Sequence, residues 1–153
     1  MEDYGWSVQD RIANAFPDIR FDNSNQVPFL KRMFKSRLVV TDHPSSTYLL
    51  GLSANVPSVL FWDPNLFEMK PEAEVYFEKL RQVGILWHSP EEAAEKVASI
   101  YCDPWVWWGT KEVQDARMSF ISRIALPAKD WLKLWVEGLK KELAVSQLPN
   151  LDL

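Results

Sequence analysis

The chain has 153 residues, 47% of them hydrophobic and 25% charged, the balance of one globular domain. Its net charge of −4 argues against a general nucleic-acid surface, because phosphate backbones require a basic field. No run approaches the ~20 apolar residues of a membrane span, and no charged start with an apolar core marks a signal peptide. One cysteine, Cys102, excludes an internal disulfide and favours a reducing, cytoplasmic compartment. Cys102 has no obvious companion for nucleophilic work and reads as an inert buried thiol.

In chain order, Val8, Ile12, Ala13 and Phe16 have helical spacing, and Pro17 ends that helix. Ile19 to Phe21 is a short strand candidate, and Asp22 to Asn25 is a turn. Pro28 sits near a helix start with Phe29, Leu30, Met33 and Phe34 as its apolar stripe. Leu38, Val39 and Val40 suit a strand buried on both faces. A polar loop follows from Asp42 to Thr47, and then a helix from Tyr48 to Ala54 with Leu49, Leu50 and Leu52 as core candidates. Asn55 closes that helix in the left-handed conformation. Ser58 to Trp62 is the next strand, so the stretch is a strand, loop, helix and strand of the kind that joins parallel strands.

Beyond Trp62, the loop from Asp63 to Glu68 leaves a second strand at the same edge of the sheet. Pro71 opens a helix with Ala73, Tyr76, Phe77, Leu80 and Val83 inward, and Gly84 stops it. Ile85 to Trp87 is a short strand. Ser89, Pro90 and Glu92 form a helix-start signal, with Ala93, Ala94, Val97 and Ile100 inward as far as Tyr101. Pro104 to Trp108 is a single turn, and Lys111 to Ile124 is a helix with Val113, Ala116, Phe120 and Ile124 on one side. Pro127 starts a last helix with a stripe of Trp131, Leu134, Trp135, Leu139 and Leu143 opposite Lys133, Glu137, Lys140 and Lys141. The expected organisation is one α/β domain over residues 1–145 with a frayed tail at 146–153.

Eight tryptophans, Trp6, Trp62, Trp87, Trp105, Trp107, Trp108, Trp131 and Trp135, can build a core, a sugar-stacking surface or an interface, with core the default. The chain has no G-x-x-x-x-G-K-[ST] and no G-x-G-x-x-G, which argues against a P-loop or a standard NAD fingerprint. His43 and His88 lack metal-ligand spacing, so neither a metal nor another cofactor is expected. In an open α/β sheet ligands bind beyond the carboxyl ends of the strands, where Ser45, Ser46 and Thr47 can either cap a helix or bind an anion. His43 in the same loop is either a plain loop histidine or a phosphate donor and acid or base, whereas His88 reads as a surface or packing residue. Asp42, Asp63 and Glu68 share the neighbourhood, where strand-end carboxylates accept hydroxyl hydrogen bonds or simply hold turns; Asp63 before Pro64 favours the turn.

Several blocks carry a resemblance: DYGW (3–6), FPDIRFDN (16–23), SRLVVTDHPSSTYL (36–49), NVPSVLFWDP (55–64), YFEKLRQVGIL (76–86), SPEEAAEKV (89–97) and WW-x-x-x-E-V-Q-x-A-R (107–117). In this order they resemble the C-terminal part of a bacterial family of surface-carbohydrate transferases. That family is similar to glycosyltransferases of the GT-B architecture and, more distantly, to CDP-glycerol glycerophosphotransferases with a comparable D-x-S-S/T loop. The resemblance implies a Rossmann-like half of a GT-B architecture: a parallel sheet of about four strands, helices on both faces and a helical C-terminal third. It implies a nucleotide-sugar donor whose diphosphate lies on Ser45, Ser46 and Thr47 beside Asp42 and His43, with ribose or sugar near Asp63 and Glu68. His43 is the catalytic candidate.

The GT-B reading further implies an N-terminal half that carries the acceptor site and the usual base, and peripheral membrane association of the complete enzyme. A sheet lacking its opening strand is expected to meet that half or a second copy of the chain. The alternative from another class is a non-catalytic module that docks a partner through its tryptophan-rich helices. A hydrolase using Ser45 or Ser46 with His43 is disfavoured, because the G-x-S-x-G elbow is absent.

Overall fold

The computed structural model describes residues 5–21, 27–125 and 128–146. By backbone contacts the chain divides into two compact units, residues 1–35 and 36–153. The first contains α1 (Val8–Ala15) and α2 (Phe29–Met33). Helix α1 buries none of its residues, and Met33 alone is buried in α2, with Phe29, Leu30 and Phe34 exposed. Ile19 to Phe21 is not a strand, because no segment among the described residues pairs with it and Ile19 stays exposed. The expected turn at 22–25 lies outside the described residues.

The second unit is built on β1 (Val39–Thr41), β2 (Ser58–Phe61) and β3 (Leu86–Trp87), paired parallel in the order β1-β2-β3. The sheet among the described residues therefore has three strands where about four are expected. Its crossovers are α3 (Ser46–Ser53), between β1 and β2, and α4 (Pro71–Gln82), between β2 and β3. Then follow α5 (Pro90–Ile100), α6 (Pro104–Trp108), α7 (Lys111–Ile124) and α8 (Trp131–Ser146), the helical C-terminal third. The expected start at Pro127 and the tail from 147 lie outside the described residues.

Alternation along β2 sends Leu60 and Trp62 to one side of the sheet and Val59 and Phe61 to the other. Tyr48 and Leu52 of α3, Phe77 and Leu80 of α4, and Val113, Phe120 and Ile121 of α7 pack on the first side with Trp108. Ala93 and Ile100 of α5 pack on the second, so helices do cover both faces. Tyr48 meets Trp62 and Phe120 at ring distances of 5.6 and 6.2 Å, and Phe77 lies edge-on to Phe120 at 5.0 Å.

Three inward assignments shift by a residue or two. Tyr48 and Gly51 are buried in α3 while Leu50 is exposed, because Tyr48, Gly51 and Leu52 recur at the 3- and 4-residue spacing of one helix face and Leu50 falls on the opposite one. Gly51 permits a close seat on the sheet: a Cβ there would stand 3.0 Å from the Ser58 hydroxyl. Ala94 is exposed in α5, since Ala93, Val97 and Ile100 form the face that packs beside Val59 and Ala94 lies off it. Cys102 is exposed rather than buried, because α5 stops at Ile100 and Cys102 falls in the turn beyond it.

The tryptophans split. Trp62 and Trp108 are core, and Trp87 and Trp107 are half-buried with indole N–H donors to the carbonyls of Gly84 and Val83. Trp6, Trp105, Trp131 and Trp135 are exposed, and so are Leu134 and Leu139 of α8. Among the described residues no helix is long and apolar enough to cross a membrane.

Candidate functional site

Parallel pairing puts the carboxyl ends of β1, β2 and β3 at one edge of the sheet, from which the segments 42–45, 62–70 and 88–89 depart. Asp42, His43, Ser45, Asp63 and Glu68 thus lie on loops leaving one edge, and Ser46 and Thr47 open α3. His88 is exposed at the same edge.

Within the first loop, the structure joins Asp42 to His43: the Asp42 carboxylate Oδ1 lies 2.6 Å from His43 Nδ1. This pairing orients the imidazole so that Nε2 is its remaining polar atom, the arrangement needed for an acid, a base or a phosphate donor. Both side chains are exposed. The Ser45 amide donates to the His43 carbonyl at 2.9 Å, which folds the loop back on itself just before α3.

Ser45 is the N-cap of α3 with extended backbone, yet its hydroxyl makes no capping bond to the helix. Ser46 is exposed and Thr47 half-buried, and the first turn contains no acidic residue. The first amides of a helix have no intrahelical acceptor and carry its partial positive charge, so they and three hydroxyls stand together at this terminus. Thr41, the last residue of β1, is paired in register with Leu60 and therefore shares the side of the sheet that α3 covers. Its hydroxyl is buried and has no hydrogen-bond partner among the described residues.

The second loop is organised by Asp63, whose Oδ1 accepts from the Asn65 amide at 2.8 Å and from Asn65 Nδ2 at 2.9 Å. That is an Asx turn, the local role an Asp before proline favours. Glu68 is exposed six residues after the end of the neighbouring core position Trp62. Among the described residues no group of three or more His, Cys, Asp or Glu side chains is placed to hold a metal ion.

A search of the inward stripe for apolar residues passes over Arg117, which is buried in α7 and donates from Nη1 to the Leu52 carbonyl in the last turn of α3 at 2.7 Å. Burial lowers its pKa from the ordinary arginine value. A charged residue on the inward side of an otherwise apolar helix, at Arg117 after Val113 and Ala116, was the available signal.

Comparison with curated proteins and with solved structures returns no match. A family model described as LIC12162 family transferase matches residues 1–139, nearly the whole chain, and covers every element from α1 through α7. The chain belongs to the LIC12162 family of transferases.

Proposed function

We propose that this transferase chain binds the diphosphate of a nucleotide-linked sugar at the N-terminus of α3, as the donor-binding half of a glycosyltransferase-like enzyme of GT-B type. The observation that carries the reading is the set of uncommitted donors at that terminus: the Ser45 hydroxyl makes no cap, and no acid occupies the first turn. The buried Thr41 hydroxyl immediately before the loop, without a partner among the described residues, adds support, since buried donors ordinarily find acceptors. A diphosphate needs several N–H and hydroxyl donors converging from one side. In this reading His43, oriented by Asp42, faces the phosphate or leaving oxygen, while Glu68 and Asp63 on the neighbouring loop border the ribose or sugar.

Calorimetric titration of CDP, UDP, GDP and CMP ligands into the wild type and the Ser46→Ala/Thr47→Ala variant tests the reading. Loss of two hydroxyl donors is expected to weaken binding by about 0.5 to 1.5 kcal/mol each. Absence of binding to the wild type at millimolar concentration rejects a donor site on this chain alone. Equal binding to both proteins leaves a nucleotide site but removes Ser46 and Thr47 from it.

A second reading, a partner-docking module, is favoured by one observation: Trp131, Leu134, Trp135 and Leu139 of α8 are all exposed. Light scattering distinguishes it, because replacement of Trp131 and Trp135 by serine would abolish any association while leaving nucleotide titration unchanged.

A further inference from the structure

The block from Trp107 to Arg117 lies away from the loops just described, and it gathers at the opposite end of α3. That end closes in a double-bonded left-handed cap. Asn55, at φ 57°, donates its amide to the Leu52 carbonyl at 3.2 Å, and the Val56 amide donates to the Gly51 carbonyl at 3.0 Å. Three side chains reinforce it. Trp108 Nε1 donates to Asn55 Oδ1 at 2.9 Å, and Gln114 Nε2 donates to the Trp108 carbonyl at 2.7 Å. Gln114 Oε1 in turn accepts from Arg117 Nε at 3.0 Å, which aims Arg117 Nη1 at the Leu52 carbonyl.

Arg117 is 7% exposed and has no carboxylate at ion-pair distance among the described residues. A buried cation without a counter-ion is retained only where something else compensates it, and the negative end of a helix does so. The amino end of α3 has no side-chain cap and is seated by the apolar packing of Tyr48 on Trp62 and Phe120, whereas this carboxyl end is fixed by directional hydrogen bonds that add to that seat in setting the orientation of the helix. Eight residues span about 12 Å, and a tilt of about 10° about that end would carry the first turn sideways by about 2 Å. A displacement of that size is enough to misplace convergent donors.

We propose that Arg117, oriented by Gln114 and seconded by Trp108 on Asn55, is a positioning residue that sets where the donors of residues 45–47 stand, acting through α3 as a short lever. The proposal rests on reading that terminus as an anion site. It distinguishes Arg117 from an ordinary core residue, whose loss would lower stability but leave the affinity of the folded protein unchanged.

The test compares full-length wild type with Arg117→Lys, Arg117→Met and Asn55→Gly, each at a temperature where circular dichroism shows it folded. Inorganic pyrophosphate affinity is measured by calorimetry, and amide hydrogen exchange is followed in α3 and α5. Arg117→Met is expected to speed exchange in the last turn of α3 about tenfold, to leave α5 protected, and to raise the pyrophosphate Kd about tenfold. Arg117→Lys, which keeps a donor and the charge, should recover part of both. Unchanged affinity in folded Arg117→Met, or exchange that rises equally in α5, overturns the proposal. If Arg117→Met does not fold, Arg117→Lys decides, since it keeps the charge but loses the bond from Nε to Gln114. Wild-type affinity there, with exchange in the last turn of α3 already faster, is equally fatal, and Asn55→Gly checks the Trp108 contribution alone. Failure of wild type to bind pyrophosphate at millimolar concentration instead overturns the anion reading, and the exchange data then decide separately whether Arg117 holds α3.

Discussion

Helices α3 and α5 both leave the same edge of the sheet, and both begin at a serine with extended backbone, Ser45 at φ −101° and Ser89 at φ −126°. Their termini are nevertheless opposite in character. The Ser89 hydroxyl accepts from the Glu92 amide at 3.2 Å, and Glu91 and Glu92 place two carboxylates on the positive end of α5. Ser45 makes no such bond, and the corresponding residues of α3 are Ser46, Thr47 and the buried Tyr48. One terminus satisfies itself and repels anions; the other makes no cap and is seated by the packing of Tyr48 on Trp62 and Phe120. Similar backbone geometry thus gives a structural start in one case and a candidate ligand site in the other, with side chains making the difference.

The seat of α3 gives the largest test of this contrast. Leu52 is fully buried, so Leu52→Ala is expected to cost about 2 to 5 kcal/mol in urea unfolding. Any ligand affinity that survives in the folded fraction would separate the seat from the terminus. Gly51→Ala should cost about 1 to 3 kcal/mol, because its methyl group would press on the buried Ser58 hydroxyl. A neutral result would show that α3 can lift off β2 without penalty.

The caps themselves come next. Ser89→Ala should lose about 1 kcal/mol, whereas Ser45→Ala should lose no more than a few tenths of that, since only Ser89 makes a capping bond. Equal losses on chemical denaturation would erase the comparison. Making α3 resemble α5 sharpens it further: Ser46→Glu places a carboxylate on the helix N-terminus and should stabilise the fold by about 0.3 to 1 kcal/mol. The same change should abolish pyrophosphate binding, and a variant that is stabilised but still binds would place the anion elsewhere.

The smallest effect is alkaline. Burial raises the Tyr48 phenol above its ordinary value of 10.0, so the folded state holds the proton more tightly than the unfolded chain. That contribution is fully present below about pH 10 and is lost as pH rises through the higher folded value. Tyr48→Phe should therefore unfold less steeply in alkali than the wild type, and identical profiles would show the phenol to be solvated.

Much of this architecture was legible because local signals agreed with tertiary ones. Ser89, Pro90 and Glu92 spelled out a helix start, and Asn55 and Gly84 marked left-handed ends that the backbone adopts at φ 57° and 74°. The inward stripe of α7 was readable at Val113, Ala116 and Phe120 for the same reason. What escaped depended on position in space. Ile19 to Phe21 has strand composition, but a strand exists only with a neighbour. The stripe of α8 reads as buried, yet Trp131 and Trp135 are exposed, because amphipathicity states that a face can be covered and not that it is.

At the candidate site, the loop and its residue types were visible in the sequence. The uncommitted state of the Ser45 hydroxyl and the pairing of Asp42 with His43 were not, since both depend on where hydrogen bonds go. Arg117 escaped for a related reason: its acceptor, the Leu52 carbonyl, is 65 residues away.

The Tyr48 ring against Trp62 has an optical consequence. Tyr48 occupies the first turn of α3 and lies 5.6 Å from Trp62, whose indole is shielded from water at the end of β2. At that separation a phenol excited in the near ultraviolet passes its energy to the indole, and a shielded indole emits at shorter wavelength than an exposed one. The chain therefore contains its own reporter beside the loop of residues 42–47. Any solute that shifts the first turn of α3 should change the Trp62 share of the blue emission, to which the equally buried Trp108 also contributes, while Trp6, Trp105, Trp131 and Trp135 supply an exposed, quencher-sensitive background that can be subtracted.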